Sequence, residues 1–238
     1  MKKVAFISDI HLDEEFPLQN NVDPRKNWLL LLNDIRSKQI NEIIFGGDIG
    51  EADSHKWFFD TLKDFKIKVI LGNHDSFNAV IKHLPINLPY TSNELYYSEE
   101  DDFFIYIYLD SSSDRISDAQ LDWFKKELFT SKKIVIFIHH PLLTIDTAVD
   151  KLYPLQNRAQ VIHLLENCIN EVTVFCAHYH MADNREYKNI RQFVVPAASF
   201  QVIKEAQDIS IDTKNFGYSV LLFNKENVHS EIMMQVSS

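Results

Sequence analysis

Five short apolar runs each end in polar side chains able to bind a metal, and this recurrence limits the folds open to the chain. VAFIS runs into Asp9-Ile10-His11, EIIFGG into Asp48, KVILG into Asn73-His74, KIVIFI into His139-His140, and TVFCA into His178-Tyr179-His180. Runs of this length, rich in β-branched and aromatic residues, read as buried strands. Helical patterns fill the gaps from Asp23 to Gln39 and from Ser54 to Phe65. Repeated βα alternation gives an α/β domain, and residues just past the carboxyl ends of its strands share one crevice. The five endings therefore point to one site.

Local signals fill in the rest. Asp23 is placed to cap the first helix, with Pro24 at its first position and apolar residues at 28, 31, 32 and 35. ELYYS and DDFFIYIYLD read as an antiparallel pair, and S-D-A-Q from Ser117 as a capping box. RQFVVPA, GYSVLLF and VHSEIMM suggest a second, mostly antiparallel sheet. No repeat or Pro/Gly-rich linker divides the chain, so residues 1–238 are expected to form a single domain of two packed sheets with helices outside.

Composition excludes several classes. The formal net charge of −10 argues against an extended nucleic-acid surface. MKKVAFI is interrupted by Asp9 too early for a signal peptide, and no run approaches the roughly 18 apolar residues of a membrane span. A soluble, cytoplasmic protein is expected. Cys168 and Cys176 fit no redox or zinc spacing and read as buried free thiols.

The polar endings supply three oxygen donors, Asp9, Asp48 and Asn73, and four imidazoles: His11, one of His139 and His140, His178 and His180. If residues 178–180 are extended, His178 and His180 share a face, whereas the adjacent His139 and His140 cannot. A mixed N/O set without thiolate suits manganese, iron or zinc. Seven donors exceed one tetrahedral ion, so two metals sharing a carboxylate are expected, as in phosphatases and nucleases. With two aspartates and a bridging hydroxide, two divalent ions leave about +1, enough to hold a phosphoryl oxygen on an acidic protein. A histidine beside the cluster, but not bound to it, would protonate the leaving group. In LGNHD, Gly72 permits the turn and Asp75 is placed to cap the next helix.

Asp9-x-His11, Gly47-Asp48, Gly72-Asn73-His74-Asp75, His139 and His178-x-His180 resemble, in order, the signature of calcineurin-like metallophosphoesterases. The resemblance implies a four-layer αββα sandwich of two mixed sheets flanked by helices. It implies one metal on Asp9, His11 and His180, a second on Asn73, His139 and His178, Asp48 bridging them, and His74 as general acid. Ala177 stands where the family usually has Gly. LDSSSDRISDAQLDWF and VVPAASFQ look like the class III cyclic nucleotide phosphodiesterases, implying a small phosphoester substrate such as a cyclic nucleotide. The alternatives are a phosphomonoesterase, a nucleotide pyrophosphatase, or a non-catalytic scaffold on the same fold, which the complete ligand set disfavours. Around the centre, Glu51 is a candidate to orient His74, and His140 to line the pocket or fix its neighbour. Asp13, Glu14 and Glu15 read as a solvated loop, and His55, His83 and His163 as surface or core residues.

Overall fold

Strands β1 (Lys2–Ile7), β2 (Glu42–Phe45) and β3 (Lys66–Val69) lie parallel and adjacent with helices in their connections, β1 and β2 buried toward their carboxyl ends and the edge strand β3 buried only at Val69. The computed structural model describes residues 2–84, 93–225 and 227–237. Helix α1 (Glu15–Gln19) is short. In α2 (Pro24–Ser37) the Asp23 carboxylate accepts the Lys26 amide, and Trp28, Leu31, Leu32 and Ile35 are fully buried. The expected 54–65 helix is shorter. A 3₁₀ turn precedes α3 (His55–Thr61), and Leu62 ends it. Trp28, Phe45 and Phe58 interlock, which fixes α2 and α3 on one face of the sheet. The short α4 (Phe77–Val80) follows β3.

In the second sheet, β4 (Tyr97–Glu100) pairs antiparallel with β5 (Phe104–Tyr108), with Tyr97 opposite Tyr108. Ser117 accepts the Gln120 amide to cap α5 (Asp118–Glu127), but the Gln120 side chain ties to Asp110 and does not close the capping box. Next come β6 (Lys133–Phe137), α6 (Ala148–Leu152), α7 (Arg158–Glu166) and β7 (Val172–Cys176). The chain continues through β8 (Asp183–Tyr187), β9 (Ile190–Val194), the two-residue strands β10 (Gln201–Val202) and β11 (Ile211–Asp212), β12 (Asn215–Phe223) and β13 (Val228–Val236).

The expected second, mostly antiparallel sheet is corrected by the pairing. The orders are β13-β12-β1-β2-β3 and β4-β5-β6-β7-β9-β8, and β5, β6, β7 and β9 are mutually parallel. GYSVLLF and VHSEIMM return to the first sheet, where β12 runs antiparallel to β1 with Lys2 opposite Phe223. Nearly every residue of β12 is buried, which suits a strand covered on both faces and not a half-exposed antiparallel one. Period-2 alternation divides the core. Phe104, Tyr106 and Tyr108 face the first sheet, where Phe6 packs on Phe137 and Phe175, while Ile105 and Ile107 join the α5 and α7 side chains Phe124 and Val161. The result is the four-layer αββα sandwich of two mixed sheets. Cys176 is buried in β7, and Cys168 is half-buried in the turn after α7. None of the described helices is long and apolar enough to cross a membrane.

Candidate active site

The ends of β1, β2, β3, β6 and β7 bring Asp9, Asp48, Asn73, His139 and His178 toward one place. The loops after β1 and β2 are laced together: the Asp9 amide donates to the Gly47 carbonyl, and the Ile10 and His11 amides to that of Asp48. Asp9, His11, Asp48, His178 and His180 all have left-handed φ values between 50 and 70°. L residues avoid this region unless their surroundings hold them there, and such strain gathers at functional sites. His178 and His180 are thus not extended neighbours. A left-handed turn separates them, and they join different clusters.

Donor atoms of Asp9, His11 and His180 form one compact group, and those of Asp48, His139 and His178 another. Asp48 Oδ2 lies between the two, 3.6 Å from His11 Nε2 and 3.2 Å from His139 Nε2. Asp9 Oδ1 is 3.4 Å from His180 Nε2 and 3.9 Å from His139 Nε2. Asn73 Oδ1, Asp9 Oδ1 and His139 Nε2 are buried without hydrogen-bond partners. Three orphaned polar atoms at one place are costly unless something absent from the protein itself satisfies them.

Each ligand-type imidazole is oriented by its other nitrogen. His180 Nδ1 donates to the Phe200 carbonyl at 3.1 Å, His139 Nδ1 to that of Gly46 at 2.8 Å, and His178 Nε2 to that of Tyr153 at 3.0 Å. His11 Nδ1 donates to Glu14 at 2.9 Å. Carbonyls and carboxylates only accept, so these contacts fix the tautomers and leave bare lone pairs on the inward nitrogens. In the neutral rings, the Nε2 atoms of His11 and His180 then meet 3.0 Å apart as two acceptors. Only a proton or a cation between them makes that approach favourable, so the donor set fits metal.

Charge agrees. Burial opposes ionisation of Asp9 and Asp48, but the His180 and His139 imidazoles overcome it and hold both carboxyls below the usual range. Burial also opposes protonation of His139, yet Asp48 and Asp9 push it up to about 10. His140 and His178 move down, chiefly by burial, His178 to about 3. His74, paired with Glu14, rises to about 9.

Residues 2–182 match a family model described as calcineurin-like phosphoesterase. The chain belongs to that family. This calcineurin-like phosphoesterase, a hydrolase of phosphoric esters, is 27% identical over 209 residues to a probable cyclic nucleotide phosphodiesterase of Fibrobacter succinogenes, covering 84% of this chain and 81% of the relative. It is 30% identical over 229 residues to a probable glycerophosphodiester phosphodiesterase of Arcobacter nitrofigilis, covering 89% and 82%. A dimetal phosphatase from Danio rerio shares the fold, with TM-score 0.68 at 12% identity over 100% of this chain and 99% of that one.

Several residues of the phosphoesterase site have roles that sequence reasoning missed. The carboxylate that reaches His74 is Glu14, at 3.1 Å, and not Glu51, whose exposed side chain precedes the 3₁₀ turn before α3. Glu14 is largely buried by the imidazoles it binds, so it is no solvated loop residue, and Asp13 pairs with Arg25 and Ser54. His140 stays beside the centre, its ring 4.1 Å from that of His178, held by Ser111 and Asp114. These two residues come from the LDSSSD stretch. The VVPAASFQ stretch seats Asp9, whose carbonyl accepts from the Ser199 amide and hydroxyl, and places the Phe200 ring on His180. His55 is buried, whereas His83 and His163 are exposed.

Asp75 corrects the helix-cap expectation, since Ser76 is the residue that precedes α4. Its carboxylate accepts the amides of Asp48, Ile49 and Gly72 at 2.7–2.9 Å, bracing the GGD turn against the GNHD turn. Burial and the nearby Asp48 raise its pKa to about 7. Asp75→Ala leaves three enclosed amides without acceptors, each costing about 1–3 kcal/mol if no water replaces it. A loss of roughly 3 kcal/mol is expected in urea melts, with a fall in metal content.

Proposed function

We propose that the chain is one domain through residues 1–238 that hydrolyses phosphodiester bonds of small nucleotides, such as cyclic nucleotides, in the cytoplasm. The observation that carries the metal-dependent reading is the 3.0 Å approach of the His11 and His180 Nε2 atoms, both with Nδ1 committed as donor. Asp9, His11 and His180 would hold one ion, and Asn73, His139 and His178 the second, with Asp48 shared. Manganese, iron or zinc suits these donors. When bound, two such ions neutralise phosphoryl oxygens and make a water nucleophilic near neutral pH.

The protein's own groups do the rest. The Glu14, Gly46, Tyr153 and Phe200 acceptors hold the four imidazoles in the tautomers that turn lone pairs inward. His74 is protonated near neutrality and supplies the proton to the departing oxygen. The names of both relatives support diester over monoester substrates, and the net charge of −10 disfavours long polyanions. Dialysis against a chelator is expected to abolish turnover, and manganese or iron to restore it. A panel of 3′,5′- and 2′,3′-cyclic nucleotides, linear diesters and monoesters then tests the substrate class. Turnover of monoesters alone, or none by fully loaded protein, would overturn it.

A further inference from the structure

The Glu14 carboxylate stands between two imidazoles with different tasks. One oxygen, Oε2, lies 2.9 Å from His11 Nδ1 and 3.1 Å from His74 Nδ1. The rings meet edge to face with centroids 4.7 Å apart, so this oxygen fills the angle between them. The Glu14 side chain is 14% exposed while that of His74 is 45% exposed. The more exposed imidazole is therefore anchored to a largely buried carboxylate. Glu14 and His74 also line a cavity of about 440 Å³ with Phe16, Glu51 and His55, which gives a leaving group room beside them.

We propose that Glu14 is a positioning residue that ties the proposed acid His74 to the proposed ligand His11 through a single carboxylate oxygen. The inference rests on His74 being the acid. Glu14 accepts the Nδ1–H of both rings, directing the Nε2 of His11 to the metal seat and leaving the Nε2–H of His74 as the proton to transfer. In the step, Nε2–H breaks, an O–H bond forms on the departing alkoxide, and neutral His74 keeps its Nδ1–H on Glu14. The anchoring works by geometry and by the negative charge facing the imidazolium.

Glu14→Gln removes the charge and keeps the shape, and Glu14→Ala removes both. For Glu14→Gln the expected result is a roughly 10–100-fold loss in kcat on a diester with an alkyl leaving group. The loss should be only a few-fold on a nitrophenyl diester, with unchanged melting temperature. In metal-free protein, at a pH above the His74 pKa of about 9 so that its ring is neutral, ¹⁵N spectra of labelled histidines should show His74 as Nδ1–H in the wild type and as a tautomer mixture in Glu14→Ala. Equal losses on both leaving groups in fully metal-loaded protein, or a His74 tautomer indifferent to Glu14, would overturn the proposal. A His74→Asn variant with full alkyl-diester activity would instead sink the acid assignment beneath it, independently of the spectra.

Discussion

Asp48→Asn is expected to fall from two bound metals per chain to one or fewer and to lose about 10³-fold or more in turnover. Asp48 Oδ2 stands between His11 and His139, one from each cluster, and closer to the second cluster than Asp9 Oδ1, which is 3.9 Å from His139 Nε2. The amide would present one neutral oxygen where two cations need a negative one. Lewis-acid stabilisation by a metal is worth several kcal/mol, and each 1.36 kcal/mol is tenfold in rate. Asp48 Oδ1 also accepts the His74 amide at 2.9 Å, so the substitution disturbs the acid as well. Elemental analysis of purified protein alongside turnover checks the result. Full occupancy of two ions in Asp48→Asn would remove the bridging assignment.

His74→Asn is expected to separate metal binding from proton delivery. Both ions should remain, because His74 belongs to neither the Asp9–His11–His180 nor the Asp48–His139–His178 group and gathers instead with His11 and Glu14, while turnover of an unactivated diester falls about 10²–10⁴-fold, the range that general acid catalysis supplies. A nitrophenolate departs without a proton, so nitrophenyl diesters should lose far less. The ratio of the two losses is the measurement. A ratio near one would mean that His74 binds or positions substrate and does not protonate the leaving group.

What could be read from the sequence follows the range of the interactions involved. The α2 boundaries were legible because a cap, a proline and a 3.6-residue stripe all lie within one helix. The placement of β12 beside β1 was not, because partner choice joins residues more than two hundred positions apart and leaves no local mark beyond near-continuous burial. An extended reading puts His178 and His180 on one face, yet their φ values of 70 and 50° form a left-handed turn, a conformation that side-chain type does not announce. Gly72 reads in the sequence as a turn former. Its real constraint is clearance, since a Cβ there would stand 2.1 Å from Asp48 Oδ1. Glu14 had a visible signal, a carboxylate three residues after His11, but three consecutive acids disguised it. The carbonyls of Gly46, Tyr153 and Phe200 could have been found by no residue signal, because every residue has one.

Each donor cluster draws on both sheets. Asp9 and His11 follow β1 while His180 follows β7, and Asp48 follows β2 while His139 and His178 follow β6 and β7. An ion in either place would act as a rivet through the sandwich, reinforcing a joint otherwise maintained by hydrophobic packing and a few polar contacts, such as His139 on the Gly46 carbonyl and Tyr97 on that of Val69. Because ligand binding to the native state adds RT ln(1 + [L]/Kd) to stability, loading and unfolding become one linked equilibrium. A cell short of metal would then hold a protein that is looser at the seam between its two halves as well as idle.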